Sequence, residues 1–423
     1  MMVGTKGPHS PVRAEQFMKI RVAVMFGGKS VEHEVSVISG IQALEHLDLH
    51  KYDPIPVYIS RENQMYVGSD IGKIDAYRDI PGLLARSQRV MFVNQGGDVF
   101  LAALPSGKTV QQIDVAMPVV HGTNEEDGVL QGYLRTIGVP FTGCDVAASA
   151  VGMDKAFQKT IVREAGVPVL DCIVLYNDDY STIETTMDRC EHEIGYPLIV
   201  KPACLGSSVG IGIAKDRSEF ERCLDDAFSY ADKILVERAV TNLREINCSV
   251  VGDMGGARAS VCEEPMHTGT FLTYEDKYGS GGGGSTKGVK GSDTASGSGS
   301  GSGGQSQGMV ELARKIPAPI SDEMTAQIQD YSVRAFRAMN CAGVVRIDYI
   351  LDSSTGEVFL NEINTIPGSL AFYLWEATGM KYPQLLDELI RIALRRHRNE
   401  DALSFSFETH ILDNRKSTGT KKV

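Results

Sequence analysis

Four polar residues near the C-terminal end of the chain have the types and spacing to do chemistry. Arg346-Ile-Asp348 and Glu362-Ile-Asn364 stand on either side of a turn at 352–356, which predicts two adjacent strands. Side chains alternate between the faces of a strand, so the four even-numbered residues are predicted to face together. Two carboxylates and an amide oxygen are ligand types that suit Mg²⁺ carrying nucleotide phosphates.

The turn also predicts the register of this hairpin. A five-residue turn would pair Leu351 with Glu357, and Val344, Ile350 and Leu360 would then share the face of the polar residues. These apolar neighbours favour a buried face. The alternative, a solvated face of an edge hairpin, remains open on these residues alone.

The first part of the chain alternates strands with helices. Compact apolar runs occur at 20–26, 54–59 and 114–120, and helical patterns follow at 35–44 and 128–137. This alternation predicts an α/β unit with a parallel sheet, whose ligands bind at the carboxyl ends of the strands.

The rest of the chain is predicted to form two smaller α+β units. The second unit begins with one helix through 153–155 and has strands near 169–174, 198–202 and 211–214. The third follows the apolar segment 234–237, with strands near 245–251 and 259–263, and with helices at 322–339 and 383–398. Ser321 is the predicted N-cap of the first of these helices.

A tract at 279–308 consists almost entirely of Gly and Ser and cannot build a core. It is either a linker or a mobile active-site lid. The predicted division of the chain is a flexible extension (1–18), an N-terminal α/β domain (19–146), a central subdomain (147–242), a C-terminal catalytic domain (243–400) that contains the tract, and a tail (401–423).

Composition excludes several classes of function. The net charge of −12 and the pI near 5.3 argue against a nucleic-acid partner. Eight cysteines without a C-x-x-C pair indicate reduced thiols and a cytoplasmic protein. No apolar run approaches the ~20 residues that cross a bilayer, and the first sixteen residues lack the apolar region of a secretory signal, so no membrane association is expected.

A second feature is typical of phosphate binding. Lys201 ends an apolar run, and a glycine-rich turn at 206–212 follows it. Glycines let backbone N–H groups approach phosphate oxygens, and the lysine can neutralise them. The turn is not a Walker loop, and an ordinary tight turn is the alternative. Its occurrence in one chain with Lys155 and the acidic hairpin favours phosphate binding.

Several motifs occur together in one order. They lie at 26–36 (FGGKSVEHEVS), 121–132 (HGTNEEDGVLQG), 153–155 (MDK), 200–210 (VKPACLGSSVG), 274–278 (YEDKY), 346–348 (RID) and 361–368 (NEINTIPG). With these motifs the chain resembles the D-alanine:D-alanine ligase family of ATP-grasp enzymes over about residues 20 to 395. The resemblance implies an ATP-grasp fold behind an N-terminal parallel-sheet domain.

The resemblance also implies a reaction. ATP would phosphorylate the carboxylate of one D-alanine, and the amine of a second would attack the acyl phosphate, which yields a dipeptide for cell-wall synthesis. One or two Mg²⁺ or Mn²⁺ ions would be the cofactors, and a homodimer is the expected assembly. Metal binding would fall to Asp348, Glu362 and Asn364.

Further roles follow from the same resemblance. ATP binding is implied for Lys155, Lys201, Gly206, Ser208, Val209, Glu237 and Glu245. Substrate binding is implied for Glu32, His121, Lys277 and Tyr373. The implied catalytic set is Glu32, Ser207 and Tyr278, which would be hydrogen-bonded to one another across the domains, together with Arg346 and the backbone N–H of Gly368 as donors to the tetrahedral oxyanion.

Three departures from the family pattern keep alternatives open. The Gly/Ser tract would cost more entropy to order than an ordinary lid, and the spacing of Glu237 and Glu245 is one residue longer than the family suggests. Residues 369–375 differ from the small hydroxyl and His residues that commonly contact the second substrate. A sister ligase with another acceptor, such as D-serine, is therefore an alternative, and a non-catalytic nucleotide or amino acid sensor is a third.

Overall fold

The computed structural model describes residues 18–206, 209–266 and 314–404. The tail beyond 404, the Gly/Ser tract and the first seventeen residues lie outside this description. So do four predicted site residues, Ser207, Ser208, Lys277 and Tyr278.

The N-terminal sheet is mixed rather than wholly parallel. It has the order β6-β5-β4-β3-β2-β1-β7, and β1 pairs in parallel with β2 and β7, as the apolar runs predicted. Its strands are β1 (Ile20–Gly27), β2 (Tyr52–Ile59), β3 (Met65–Val67), β4 (Gln88–Gln95), β5 (Asp98–Ala103), β6 (Thr109–Ile113) and β7 (Val115–Pro118).

The antiparallel half of this sheet, β3 to β6, was not predicted from the sequence. The connections from β2 to β3, from β4 to β5 and from β5 to β6 are too short for a parallel crossover, whereas residues 68–87 with α2 join β3 to β4. Between β4 and β5, Gly96 and Gly97 adopt φ of 69° and 103°, which a two-residue hairpin turn requires. The helices of this unit are α1 (His33–His46), α2 (Ile80–Ala85) and α3 (Val129–Ile137), with a 3₁₀ turn at Ile74–Asp79.

The second unit carries a four-stranded antiparallel sheet, β10-β9-β11-β8. Its elements are α4 (Val146–Met153), α5 (Lys155–Glu164), β8 (Cys172–Tyr176), a 3₁₀ turn (Asn177–Thr182), α6 (Ile183–Glu193), β9 (Leu198–Pro202), β10 (Gly212–Ala214), α7 (Arg217–Tyr230) and β11 (Lys233–Arg238). The single helix predicted through 153–155 is wrong. Asp154 breaks it, because its carboxylate accepts the N–H groups of Ala156 and Phe157 at 2.9 and 3.1 Å and so caps α5.

The third unit is a five-stranded antiparallel sheet, β14-β13-β12-β15-β16. Its elements are β12 (Leu243–Asp253), β13 (Gly256–Pro265), β14 (Arg314–Lys315), α8 (Asp322–Ala338), β15 (Gly343–Asp352), β16 (Val358–Asn364), a 3₁₀ turn (Gly368–Ala371), α9 (Phe372–Ala377) and α10 (Tyr382–Asp401). Ser321 accepts the Met324 N–H at 3.2 Å, as expected of the N-cap of α8.

The last helix packs the third unit against the first. Leu385 and Leu389 of α10 are buried in the same apolar core as Val24 of β1. Burial of this kind is worth roughly 1.5–3 kcal/mol for each large apolar side chain. At the rim Lys51 Nζ lies 2.7 Å from Asp387 Oδ1. Thus α10 fixes the position of the third unit against the first, and this position sets the shape of the cleft between them.

All eight cysteines are free thiols in the structure. Among the helices of the described ranges, none is both long enough and apolar enough to cross a membrane.

Candidate active site

The predicted hairpin forms, but with a different register. Leu351 pairs with Val358, because the Asp352 N–H donates to the Glu357 carbonyl at 2.9 Å and leaves a turn of only four residues. Leu360 consequently pairs with Tyr349 and packs in the core on the opposite face, so its predicted placement is wrong.

A β-bulge restores the predicted face at the functional end. The pairing shifts by one residue between Asp348 and Tyr349, and Asn361 is the extra residue. Beyond it Asp348 pairs with Glu362, and Arg346 pairs with Asn364. The turn and the bulge each shift the pairing by one residue in the same direction, so the total shift of two residues leaves the four polar residues on one face.

Hydrogen bonds hold the polar face together. Arg346 donates from Nε and Nη2 to the two carboxylate oxygens of Asp348, at 2.7 and 2.8 Å. Asn364 Nδ2 donates to Asp348 Oδ2 at 3.0 Å. Asp348 is only 3% exposed, so the solvated-face alternative is excluded. A buried carboxylate of this kind needs its cation.

Two lysines from the second unit reach the hairpin. Lys155 begins α5, directly after the Asp154 cap, and its Nζ lies 3.4 Å from Glu362 Oε2 and donates to the Leu205 carbonyl at 2.7 Å. Lys201 Nζ, on β9, donates to Asn361 Oδ1 at 3.1 Å. The bulge residue thus serves as a contact for a lysine that was predicted to bind phosphate.

Glu237 of β11 forms ion pairs with Lys201 and with Lys159, a residue that was not predicted to belong to the site. Its carboxylate lies 2.7 Å from Lys201 Nζ and 2.9 Å from Lys159 Nζ, and it is completely buried. Burial alone would raise the pKa of Glu237, but the two ammonium groups lower it to about 2. Lys159 stands one helical turn after Lys155 on α5, a spacing that could have indicated its role.

Two adjoining cavities unite these residues. The first measures about 850 Å³ including space open to solvent, and its lining includes Lys155, Lys201, Glu237, Glu245, Asp348 and Glu362. The second measures about 1000 Å³ in the same way, and its lining includes Glu32, His121, Arg346, Asn364, Gly368 and Tyr373. Lys155, Gly206, Glu245 and Glu362 border both. Of the predicted site residues in the described ranges, Val209 alone borders neither.

Glu32 lies next to the glycine-rich turn in the lining of the second cavity. A Cβ atom on Gly206 would lie 3.3 Å from Glu32 Oε2, and one on Gly122 would lie 3.1 Å from the same oxygen. Both glycines therefore permit a close approach to this carboxylate. The predicted partners of Glu32, Ser207 and Tyr278, lie outside the described residues.

The loop that carries Gly368 is clamped by the N-terminal unit. His121 Nδ1 donates to the Ile366 carbonyl at 2.9 Å, and the Ile366 N–H donates to Glu126 Oε1 at 3.1 Å. Glu126 Oε2 accepts the Gly122 N–H at 2.7 Å. Burial raises the pKa of Glu126 to about 8. Glu126 was not among the predicted site residues, although it lies within the motif at 121–132.

Beyond Gly368 the backbone is left-handed at three consecutive residues, which is costly for residues other than glycine. Ser369, Leu370 and Ala371 have φ of 51°, 53° and 50°. The Ser39 hydroxyl accepts the Ser369 N–H at 2.9 Å and donates to His121 Nε2 at 3.2 Å. These contacts with α1 hold the strained turn, and they assign the ring proton of His121 to Nδ1.

We expect His121 to remain neutral throughout the physiological pH range, because burial lowers the pKa of its imidazole below 6.5. Nitrogen NMR of the histidine side chains should show the Nδ1–H form at pH 7. The spectrum of His121→Gln assigns the resonance. A titration midpoint at or above 6.5 would contradict the hydrogen-bond network described here.

Comparison with known proteins places this geometry in a family. Family models described as D-ala D-ala ligase N-terminus and D-ala D-ala ligase C-terminus match residues 21–144, and residues 161–290 with 308–391. Curated relatives include a D-alanine--D-alanine ligase from Thermoanaerobacter sp. (strain X514), 35% identical over 90% of this chain and 98% of the relative. Another, from Heliobacterium modesticaldum, is 37% identical over 90% of this chain and 97% of the relative.

Solved structures agree with these relatives. The D-alanine-D-alanine ligase from Coxiella burnetii superposes with a TM-score of 0.71 at 29% identity, covering 90% of this chain and 97% of that one. The VanG D-Ala:D-Ser ligase from Enterococcus faecalis gives 0.70 at 26% identity, covering 89% and 100%. The chain therefore has the ATP-grasp fold and belongs to the D-alanine–D-alanine ligase family.

Proposed function

We propose that this protein joins two D-alanine molecules into D-alanyl-D-alanine and converts ATP to ADP and phosphate, with one carboxylate oxygen of the first D-alanine leaving in the phosphate. The observation that carries the proposal is the adjacency of two kinds of site. A cavity lined by Lys155 and Lys201 adjoins one lined by Arg346 and Gly368, and Lys155 and Glu362 border both. Phosphoryl transfer and attack on the activated carboxyl group can thus occur in one continuous space.

In the first step, Lys155 and Lys201 bind phosphate oxygens of ATP, and the backbone of the turn that begins at Gly206 covers them. Glu237 orients Lys201, because its carboxylate lies 2.7 Å from the Lys201 Nζ. Glu245 binds the nucleoside part of ATP. These side chains position the terminal phosphate for in-line attack by the carboxylate of the first D-alanine, whose ammonium pairs with Glu32.

The side chains available for a metal fit Mg²⁺ or Mn²⁺. Asp348 and Glu362 are paired across β15 and β16, and Asn364 lies beside them. Within the described ranges no group of three or more His, Cys, Asp or Glu residues is placed to hold a metal. Two carboxylates and an amide match a metal that takes its other ligands from phosphate and water. One or two ions held there would neutralise phosphate charge during the transfer.

In the second step, the amine of the second D-alanine attacks the acyl phosphate and forms a tetrahedral oxyanion. Arg346 is fixed by its two hydrogen bonds to Asp348, and the Gly368 loop is fixed by His121 and Glu126. Donors that are already oriented stabilise such an oxyanion without reorganisation. Collapse then expels phosphate and leaves the peptide bond.

Other parts of the proposal follow from the family. We include Ser207 and Tyr278 as partners of Glu32, Lys277 and Tyr373 near the second substrate, and Ser208 and Val209 in the ATP lid. We also include a cytoplasmic location, a homodimer, a role in supplying peptidoglycan precursor, and the domain boundaries near 146 and 242.

A panel of acceptors tests the proposal. The purified protein is given ATP, Mg²⁺, D-alanine and an equal amount of a second amino acid, and the products are read by mass spectrometry. D-alanyl-D-alanine is the expected main product. A dominant mixed dipeptide with D-serine would support the sister-ligase alternative, and nucleotide binding without any turnover would support the sensor.

A further inference from the structure

A cation, a carboxylate and a phenol converge at one edge of the second cavity. Tyr373 Oη donates to Glu263 Oε1 at 2.9 Å, and Arg314 Nη1 lies 3.3 Å from Glu263 Oε2. The guanidinium of Arg314 also stacks 4.0 Å from the centre of the Tyr373 ring. The side chains of Arg314 and Glu263 are only 13% and 2% exposed. In these three residues, the Arg314 cluster, the guanidinium is therefore held in a defined orientation by the Glu263 carboxylate and the Tyr373 ring.

The Arg314 cluster faces the reacting centre. Its three residues line the cavity that Arg346 and Gly368 also line. Arg346 is close enough for its charge to oppose the rise that burial and Glu263 produce in the pKa of Tyr373. An acceptor amine that attacks the acyl carbon beside Arg346 and Gly368 brings its own carboxylate along, because a single carbon separates the two groups in an α-amino acid.

That carboxylate needs a cation when it enters a closed site. The cations that line this cavity in the described ranges are Lys155, Arg314 and Arg346. Lys155 lies beside Glu362 at the phosphate end, and Arg346 makes its two hydrogen bonds to Asp348. Arg314 comes from β14, at the opposite edge of the sheet, and is oriented by Glu263 and Tyr373.

We propose that Arg314, held by Glu263 and Tyr373, binds the carboxylate of the second amino acid and makes the enzyme select acceptors that carry one. The inference rests on the proposed ligase function and deepens it. It also accounts for Tyr373 at a position where the family pattern suggests a small hydroxyl residue: the phenol supports the arginine that binds the substrate.

D-alaninamide separates this role from a structural one. It has the amine of D-alanine but no carboxylate, so it cannot be phosphorylated and can act only as acceptor. The enzyme is given D-alanine with an equal amount of D-alaninamide, and dialanine and D-alanyl-D-alaninamide are measured by mass spectrometry. Wild-type enzyme should favour dialanine by roughly 100-fold, the range expected for a desolvated charge pair. In Arg314→Gln that preference should fall at least tenfold.

Control variants make the result decisive. Arg258→Gln removes an arginine of β13, the strand that pairs with β14, and should keep the wild-type product ratio. Arg258 packs near Trp375, outside this cavity. Arg314→Lys keeps the charge but loses the planar fork, so its ratio should lie between those of wild type and Arg314→Gln. It also serves as the test if Arg314→Gln is too unstable to purify.

An unchanged product ratio in Arg314→Gln, or in Arg314→Lys where only that variant folds, would overturn the inference while the ligase function stands. A wild-type protein that forms neither dipeptide would overturn the proposed function and this inference with it.

Discussion

Replacement of Glu362 by glutamine is expected to lower kcat by about 100- to 1,000-fold, the size of effect that follows when several kcal/mol of metal and charge stabilisation are lost. The substitution keeps the shape of the side chain. It removes one of the two carboxylates that face each other across the hairpin and the negative charge that lies 3.4 Å from Lys155 Nζ. Initial rates of ADP release at saturating D-alanine, over a range of Mg²⁺ concentrations, measure the effect.

Glu357→Gln is the matched control for this experiment. Glu357 lies on the same hairpin, immediately before β16, but it is exposed and lines neither cavity. It should retain wild-type kcat. Thermal unfolding of both variants should remain near that of the wild type, because the Glu362 side chain is 20% exposed and its loss leaves no cavity. Turnover of Glu362→Gln within tenfold of the wild type would contradict the assignment of Glu362 as a metal ligand.

Replacement of Glu237 by glutamine is expected to destabilise the protein by about 3–5 kcal/mol, which is typical when one partner of a buried ion pair is removed. Lys159 and Lys201 would remain buried without the carboxylate that lies within 2.9 Å of each ammonium group. Urea unfolding at pH 7, followed by circular dichroism, measures the change. Glu221→Gln, on the exposed side of α7 in the same unit, should change the free energy of unfolding by less than about 0.5 kcal/mol.

The destabilisation caused by Glu237→Gln is expected to depend on pH. The pKa of Glu237 falls from 4.5 to about 2 in the folded protein, so the carboxylate contributes its full stabilisation above pH 4.5. As the pH decreases from 4.5 towards 2, the unfolded chain takes up a proton first and the stabilisation is lost. The difference in the free energy of unfolding between wild type and Glu237→Gln should therefore shrink over this range. A difference that stays constant from pH 7 to pH 3 would contradict the depressed pKa of Glu237.

The hairpin illustrates how far local sequence patterns reach. Alternation correctly predicted that Arg346, Asp348, Glu362 and Asn364 share a face. The predicted pairing of Leu351 with Glu357 was wrong, because the turn closes one residue earlier through the Asp352 N–H. The bulge at Asn361 shifts the pairing by one further residue, so the predicted face returns although the paired residues differ from those predicted. A bulge depends on packing on both sides of the sheet, which a single strand sequence does not contain.

Contacts between distant segments were the part that the sequence could not predict. Lys159 was overlooked although its i, i+4 relation to Lys155 is visible, since only the fold brings Glu237 between it and Lys201. The bonds from Glu126 and His121 to Ile366 join segments about 240 residues apart. Arg314 becomes informative only when β14 pairs with β13. Each of these depends on the relative placement of whole units rather than on a local pattern.

The most direct test of the central claim follows the carboxylate oxygen of the first D-alanine. The protein is incubated with ATP, Mg²⁺ and D-alanine whose carboxylate carries ¹⁸O, and both the dipeptide and the released phosphate are analysed by mass spectrometry. If the carboxylate attacks the terminal phosphate and the second amine then expels it, each dipeptide formed should be matched by ADP and by one phosphate that carries a single ¹⁸O. Dipeptide formation with unlabelled phosphate, or with AMP in place of ADP, would contradict the acyl phosphate route.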